Sequence, residues 1–263
     1  FVYDSEQDLL VGLSDGFGLN VLHITDLRFS DGESLAYLTS GKVMVSTEKK
    51  ADVEVKGFTL KDSSETMTAS IGAASLRTLD LTMLDPSVLT VKGRAKAIST
   101  YLGVTEFKLK DAFVQSADTG QKRMGVMGVT LDNISRHDGL VTVANLNIEK
   151  FIVPVDLIAQ ENQDFAQIAK EITGSDEVMV SLEVGSDYDV SRSAYDTVLG
   201  VDVAAFGDLM LKISLENVPF EKLKALSNAN DPLNTLTTLA ELNQTVSFKG
   251  VSIDYIDGML ADK

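Results

Sequence analysis

A short pattern that recurs along the chain constrains its fold more than any other feature. Apolar side chains occupy its first, fourth and sixth positions, so the alternation of apolar and polar residues slips by one place within it. Side chains of a β-strand point to opposite faces in turn, so an uncorrected slip would turn every later side chain to the wrong face. A β-bulge accommodates one extra residue and corrects the slip, so the pattern predicts strands with repeated bulges. It occurs at Ile24–Phe29, Val55–Leu60, Ile148–Val153, Leu215–Phe220 and Phe248–Ile253, with looser copies at Leu109–Val114 and Leu131–Ser135.

The third position of each copy is where the extra residue is expected. Asp26, Gly57, Asn217 and Gly250 occupy it in four of the copies, and Lys150 occupies it in a fifth. Gly, Asn and Asp tolerate unusual backbone angles better than other residues do, and Lys150 fits less well. The alternative explanation is that any β protein contains such hexamers by chance. The sequence alone leaves both explanations open.

Regular alternation between the slips indicates antiparallel strands with one face in water. It is clearest at Val178–Val184 and Leu209–Leu215, where every second residue is apolar. Buried parallel strands would instead show unbroken apolar runs. Asp-Gly pairs near such segments are typical of hairpin turns. They occur at Asp15-Gly16, Asp31-Gly32, Asp138-Gly139 and Asp257-Gly258.

The segment from Leu140 to Val155 predicts one unusually long strand. At ~3.3 Å per residue it would extend for roughly 50 Å. Its apolar residues change phase between Val143 and Leu146, and again after Ile148. Bulges increase the twist of a sheet, so repeated bulges favour a curved sheet over a flat one. We therefore expect a mainly β fold: a long curved antiparallel sheet with repeated β-bulges, and two or three short helices in the second half.

The helices are predicted from apolar periodicity and from capping residues. The first covers Leu157 to Ile172, with Asp156 as its cap and Gly174 as its stop. Two more are expected to begin at Pro219 and, after a capping Asp231, at Pro232, and to form a hairpin over an edge or face of the sheet. The apolar stripe of the first helix consists of Ile158, Phe165, Ile168, Ala169 and Ile172.

The composition is that of an ordinary folded protein, with 44% apolar and 24% charged residues among 263. No low-complexity linker divides the chain, so we expect a single continuous β-rich domain over 1–263, with a weak subdivision near residue 155 as the alternative. No apolar run reaches the roughly 18 residues of a membrane span. Because the chain begins with Phe1 and not with Met, we expect it to be a processed or incomplete chain, in which an export signal or anchor upstream would not be visible.

The charge balance argues against nucleic acid as a partner. The chain has 39 acidic and 23 basic residues, a net charge of −16, which repels phosphate backbones and anionic membrane surfaces at long range. Its basic doublets, Lys49-Lys50 and Lys122-Arg123, are isolated and form no patch. The chain also lacks Cys, which excludes disulfides, thiolate metal sites and thiol nucleophiles.

Residues suited to catalysis are few. His23 lies in an alternating strand and His137 precedes a predicted turn; neither belongs to a nucleophile motif such as GxSxG. Asp187, Asp189 and Asp196 offer hard oxygen ligands of the kind that calcium prefers, but without the spacing of an EF-hand. A solvated hairpin loop explains these carboxylates better. We therefore predict that the protein is not an enzyme and has no catalytic residues, bound metal or cofactor.

Three of the hexamers, IEKFIV, LENVPF and FKGVSI, resemble those of bacterial envelope proteins of the AsmA-like and YdgA-like families. The resemblance is best over about 138–262, where a strand leads into VPVDLI, a helix ends in ITG, and the strands VMVSLEV and GDLMLKISLENVPF follow. It implies a strand-rich body in the periplasm and, for AsmA-like relatives, a link to lipid movement or envelope maintenance. The pattern defines no functional residue, so none is carried over.

Two functions are compatible with these features. The first is a non-enzymatic envelope protein, periplasmic or extracellular, that binds or conveys lipid or another apolar ligand along a curved sheet. The alternative is a structural or adaptor protein of such an assembly, which binds protein partners or its own copies through strand edges or the helical hairpin. The same aliphatic side chains would serve equally well to fill a closed core. The predicted ligand-binding residues are Val141, Val143, Leu209, Leu211, Ile213 and Leu215.

Overall fold

The structure is a computed structural model that describes residues 21–30, 34–46, 48, 50–62, 66–80, 104–116, 123–138, 140–228 and 232–257. As predicted, the described residues are mainly β and antiparallel, and the helices among them lie in the second half of the chain. The strands hydrogen-bond in their order of sequence. They are β1 Val21–Ser30, β2 Ser34–Val45, β3 Lys50–Asp62, β4 Met67–Asp80, β5 Glu106–Ser116, β6 Arg123–His137, β7 Leu140–Pro154, β8 Glu177–Asp189, β9 Ala194–Val203, β10 Gly207–Glu216 and β11 Ser247–Asp257.

Contacts between residues divide the chain into two units, 1–130 and 131–263, which are described in turn. The subdivision considered near residue 155 falls inside the second unit, where β7 meets the first helix. The single continuous domain stays a prediction. None of the helices in the described residues combines the length and the hydrophobicity that crossing a membrane requires.

The recurring hexamer marks a left-handed residue in six of its seven copies. Asp26, for example, has φ 52° and Gly57 has φ 64°. Gly250 is the exception, because its φ lies outside the left-handed region. Chance would not concentrate this rare conformation at one position of the pattern, so the hexamer is not a chance feature of the sequence. The six residues are Asp26, Gly57, Asp111, Asn133, Lys150 and Asn217.

In the first unit the left-handed residues of the hexamers lie in one row across the strands. Ladder register places Thr39 between Asp26 and Gly57, and Gly72 between Gly57 and Asp111. Pairing continues on both sides of this row with no register shift. The neighbouring strands therefore slip together, and no strand needs the extra residue that the sequence predicts. Bulges at these copies were the wrong expectation, because a slip shared by all strands leaves their register intact.

Strand β2 shows that the slip changes which residues share a face. A Cβ atom added to Gly41 would lie 3.3 Å from Leu38 Cδ2, although residues three apart in a regular strand point to opposite faces. The slip thereby keeps the apolar residues on both sides of the row on one face of the first unit. One rung of that face joins Leu27, Leu38, Phe58, Ile71 and Ala112.

A further irregularity in the first unit carries no hexamer. The register of β3 and β4 shifts beside Asp52, opposite Thr78, whose φ is 61°. The Asp52 carboxylate accepts a hydrogen bond from the Thr78 backbone N–H at 2.9 Å and one from Arg77 Nη1 at 3.1 Å. These charge-assisted bonds satisfy the N–H that the shift removes from the ladder. The sequence pattern did not predict this shift.

In the second unit two hexamers coincide with true bulges. The register of β7 and β8 shifts between Ile148 and Phe151, and the Lys150 N–H donates to Ser181 Oγ at 3.3 Å. In β11, Lys249 is the extra residue opposite β10. The long bulged strand predicted over Leu140 to Val155 is confirmed as β7. Only its second phase change is a bulge, since pairing with β8 runs unbroken from Val143 to Ile148.

The described part of the second unit also contains four helices: α1 Val155–Glu161, α2 Gln163–Thr173, α3 Phe220–Asn228 and α4 Pro232–Thr245. The single helix predicted over Leu157 to Ile172 is wrong. Asn162 has extended backbone angles there, and its side chain accepts a hydrogen bond from the Phe165 N–H at 2.9 Å, so it ends α1 and caps α2. Asp156 lies in the first turn of α1, where Pro154 is the N-cap residue. Gly174 stops α2 in the left-handed conformation, as predicted.

The apolar stripe expected on the first helix is only partly buried. Ala166 and Ala169 of α2 are buried, whereas Phe165 and Ile168 are each exposed by about half. The hairpin predicted to start at Pro219 and Pro232 is confirmed as α3 and α4. The turns predicted at Asp15-Gly16, Asp31-Gly32 and at the glycines of Asp138-Gly139 and Asp257-Gly258 lie outside the described residues. Strands β1 and β2, on either side of Asp31-Gly32, do pair antiparallel.

Candidate apolar-ligand site

One face of the second unit carries aliphatic side chains on five adjacent strands. Residues directly opposite each other in neighbouring strands share a face, so the ladders define its members. One rung joins Leu146, Val184, Leu199, Leu211 and Ile253 from β7 to β11. The next rung joins Ile148, Leu182, Val201, Leu209 and Tyr255. These ten residues, with Ile213 and Val251, are called the aliphatic face below.

Two helix pairs pack on this side of the sheet, one at each end. Helices α1 and α2 cover Val178, Val180 and Val203, which continue the aliphatic alternation of β8 and β9. Helices α3 and α4 cover Tyr188 and Leu215 at the opposite end of the same strands. Both pairs thus bury the ends of the face and leave its middle rungs between them.

The middle of the aliphatic face is accessible to solvent. Leu199 is 38% exposed and Leu209 44%, and exposure rises to 68% at Ile253 on β11. The remaining members on β7 to β10 are half-buried. Among the residues that the structure describes, no side chain larger than alanine is fully buried. These aligned aliphatic side chains are only partly covered. A ligand that covered their exposed apolar surface would therefore remove it from water, which is favourable.

The predicted ligand-binding residues separate into three groups. Leu209, Leu211 and Ile213 belong to the aliphatic face, as the sequence suggested. Leu215 shares that face but packs against Val218 and the helices α3 and α4. The other two, Val141 and Val143, lie on the opposite side of the sheet, because Val143 pairs with Asp187 and the rung continues to Asp196 and Ser214.

The position of Val143 follows from the missing bulge. The phase change between Val143 and Leu146 is not absorbed by an extra residue, so the two side chains face opposite sides. Sequence reasoning also left out nine of the twelve residues of the face. The sequence predicted β8 as a strand from its alternating apolar residues. Only the pairing with β7 and β9 shows which residues of those strands lie on the same face. The members missed include Leu182, Val184, Leu199, Val201 and Ile253.

The opposite side of the same strands is acidic. A depression of about 390 Å³ lies there over Gly200, with Glu183, Asp202, Asp208 and Asp254 in its lining. Asp202 and Asp208 are directly opposite each other on β9 and β10. Burial, together with hydrogen bonding and repulsion from Asp208, raises the pKa of Asp202 above its usual value. Among the described residues, no group of three or more His, Asp or Glu is arranged to hold a metal ion.

The loop considered for calcium is occupied by its own hydrogen bonds. The Asp189 carboxylate accepts bonds from the Ser191 N–H at 2.9 Å, from Ser191 Oγ at 2.6 Å and from Arg192 Nε at 2.5 Å. These donors stabilise the charged form and lower the pKa of Asp189 well below its usual value. Asp187 and Asp196 face each other across β8 and β9. The arrangement is that of a closed hairpin turn.

The two histidines occupy unrelated settings. His23 is exposed in β1, opposite Lys42. His137 ends β6 and packs edge-on against Phe220, with 5.1 Å between ring centroids.

Comparison of the chain with known protein families, with curated proteins and with solved structures finds no match. The similarity to AsmA-like and YdgA-like proteins therefore stays a prediction.

Proposed function

We propose that this chain is a non-enzymatic protein of the bacterial envelope that binds or conveys lipid acyl chains, or a similar elongated apolar ligand, along the aliphatic face. The observation that carries the proposal is the accessible middle of that face between the two helix pairs. Because the aliphatic surface between the helix pairs is in contact with water, its burial by an apolar ligand is favourable.

The dimensions of the face suit a chain-like ligand. The five strands from β7 to β11 extend about 19 Å across at ~4.8 Å per strand. Each methylene group of a ligand that leaves water on this surface contributes about 0.8 kcal/mol. The net charge of −16 disfavours contact through an anionic headgroup, so the acyl chain supplies the affinity.

A direct test is native mass spectrometry of the protein purified from its natural source, followed by titration with the fluorescent polyene cis-parinaric acid. Leu199→Asp places a charge in the aliphatic face and is expected to abolish binding, because the carboxylate must then be desolvated. Val198→Asp is the matched control on the next residue, whose side chain points to the acidic side, opposite Lys212. Binding that is absent from the unsubstituted protein, or that both variants retain, would contradict the proposal.

The alternative is a structural or adaptor protein of an extracellular or periplasmic assembly. It is supported by β11, whose residues from Ser247 to Ile256 are all exposed. An adaptor would associate through this edge whether or not lipid is present. Light scattering with delipidated protein distinguishes the two functions, since only an adaptor is expected to form assemblies larger than a dimer in the absence of lipid.

A further inference from the structure

Strand β11 is an exposed edge of the second unit, as far as the structure describes it. It is eleven residues long and pairs with β10 on one side only within the described chain. Natural sheets usually protect such an edge with Pro, several Lys, β-bulges or a covering element, and the bulge of β11 at Lys249 leaves Gly250 to Asp257 regularly paired. β11 contains no Pro and a single Lys, and its Val251, Ile253 and Tyr255 are more than half exposed. An edge of this kind offers its free backbone groups to another strand.

We propose that β11 pairs antiparallel with β11 of a second copy of this chain, with the two-fold axis at Ile253. Strands of the same sequence that pair around a two-fold axis form a self-complementary contact. The aliphatic side of one copy then continues onto that of the other only if residues of the same face lie opposite each other. This condition requires the two-fold axis to pass through a residue of β11. An axis that passes between two consecutive residues is excluded.

Charge selects Ile253 among these positions. With the axis there, Lys249, the bulged residue of β11, lies opposite the partner's Asp257, and the pair occurs twice by symmetry. An axis at Asp254 would bring two carboxylates face to face, and an axis at Ser252 would place Lys249 opposite the partner's Tyr255. Lys249 Nζ already lies 3.1 Å from Glu216 Oε1 in its own chain and is 60% exposed. An ammonium group has three donors, so it can bridge to a second carboxylate.

The pairing joins apolar residues across the axis. Val251 lies opposite the partner's Tyr255, and Ile253 lies opposite the partner's Ile253, so the aliphatic faces of the two copies become continuous. The ladder runs from Lys249 to Asp257, a short contact at the low end of the areas of specific interfaces. The dimer is therefore concentration-dependent. It requires no ligand and does not depend on the function proposed above.

A disulfide tests the register, since the chain has no cysteine of its own. Residues directly opposite in an antiparallel pair have Cα atoms about 4.5–5.5 Å apart, within the range of a disulfide, whereas diagonal neighbours are about 7–8 Å apart. Ile253→Cys lies on the axis and is expected to form a covalent dimer under mild oxidation. Ser252→Cys, one residue away, is the matched control and is expected to stay monomeric. Equal cross-linking of the two variants, or none in either, would overturn the proposal.

Sedimentation equilibrium of the delipidated protein tests the charges. Lys249→Asp or Asp257→Lys alone is expected to weaken the dimer about tenfold, through the loss of two exposed charge pairs. The double exchange restores opposite signs and is expected to restore the dimer. Ile253→Lys places two ammonium groups on the axis and is expected to abolish it, whereas Leu27→Lys on the edge strand β1 leaves it unchanged. A strict monomer at every concentration, or a double exchange without rescue, would refute the pairing.

Discussion

Gly57 is the residue at which the left-handed row can be tested most directly. Its φ is 64°, and a Cβ atom placed on it would lie 2.3 Å from Thr39 Oγ1 and 2.8 Å from Thr39 Cβ. Gly57→Ala therefore has two costs. The left-handed conformation costs an L-residue about 1–2 kcal/mol, and forcing a methyl group against Thr39 costs about 1–3 kcal/mol. We expect a loss of about 3 kcal/mol in the free energy of unfolding of the first unit.

Gly250 provides the matched control, because it occupies the same position of the hexamer. Its φ is not left-handed, and no heavy atom lies within 4 Å of where its Cβ would be. Gly250→Ala is therefore expected to be neutral or to stabilise by about 0.5 kcal/mol, because Ala restricts the unfolded chain. The two substitutions are chemically identical and differ only in the environment that the structure assigns to them.

The two costs at Gly57 can be separated with Thr39→Gly, which removes both contacting atoms. The double variant is expected to recover the steric part of the loss and to retain the backbone part. Urea unfolding followed by far-UV circular dichroism gives the free energies, and hydrogen exchange assigns the loss to β2 and β3. If Gly57→Ala costs no more than Gly250→Ala, or if Thr39→Gly rescues nothing, the left-handed row is misplaced.

Three further substitutions test other parts of the structure. Lys150→Asn should stabilise the bulge in β7 by up to about 1 kcal/mol in urea unfolding, because Asn adopts the left-handed conformation at lower cost; a loss of stability would contradict this. Asp202→Asn should stabilise the protein at pH 7 by roughly 0.5 kcal/mol, because it removes a like charge opposite Asp208. The raised pKa of Asp202 means that its folded carboxyl is favoured when protonated, so the gain should vanish in unfolding measured below about pH 4, and a gain that persists there would refute the assignment. Asn162→Ala should cost about 1 kcal/mol and speed hydrogen exchange at the Phe165 amide, unless the side-chain cap of α2 contributes nothing.

Local chemistry was enough to predict the secondary structure of much of this protein. Alternation identified strands such as β8 and β10, because a side-chain period of two requires no knowledge of the neighbouring strand. The hexamer located the left-handed residues, since Gly, Asn and Asp bear that conformation with little strain. Gly174 stopped α2 for the same reason. The break at Asn162 escaped prediction, because the apolar periodicity continues through it.

Tertiary structure decided which apolar residues meet. Val143 and Leu211 look alike in sequence, yet they lie on opposite sides of the sheet because no bulge follows Val143. In the first unit the same hexamer needs no bulge, since the neighbouring strands slip together. Whether a phase change in the sequence is a slip shared with the neighbouring strands, a bulge or neither depends on how one strand pairs with the next. That register is a relation between distant residues, so the sequence determined the strands and their left-handed positions, and only the assembled sheet decided the aliphatic face.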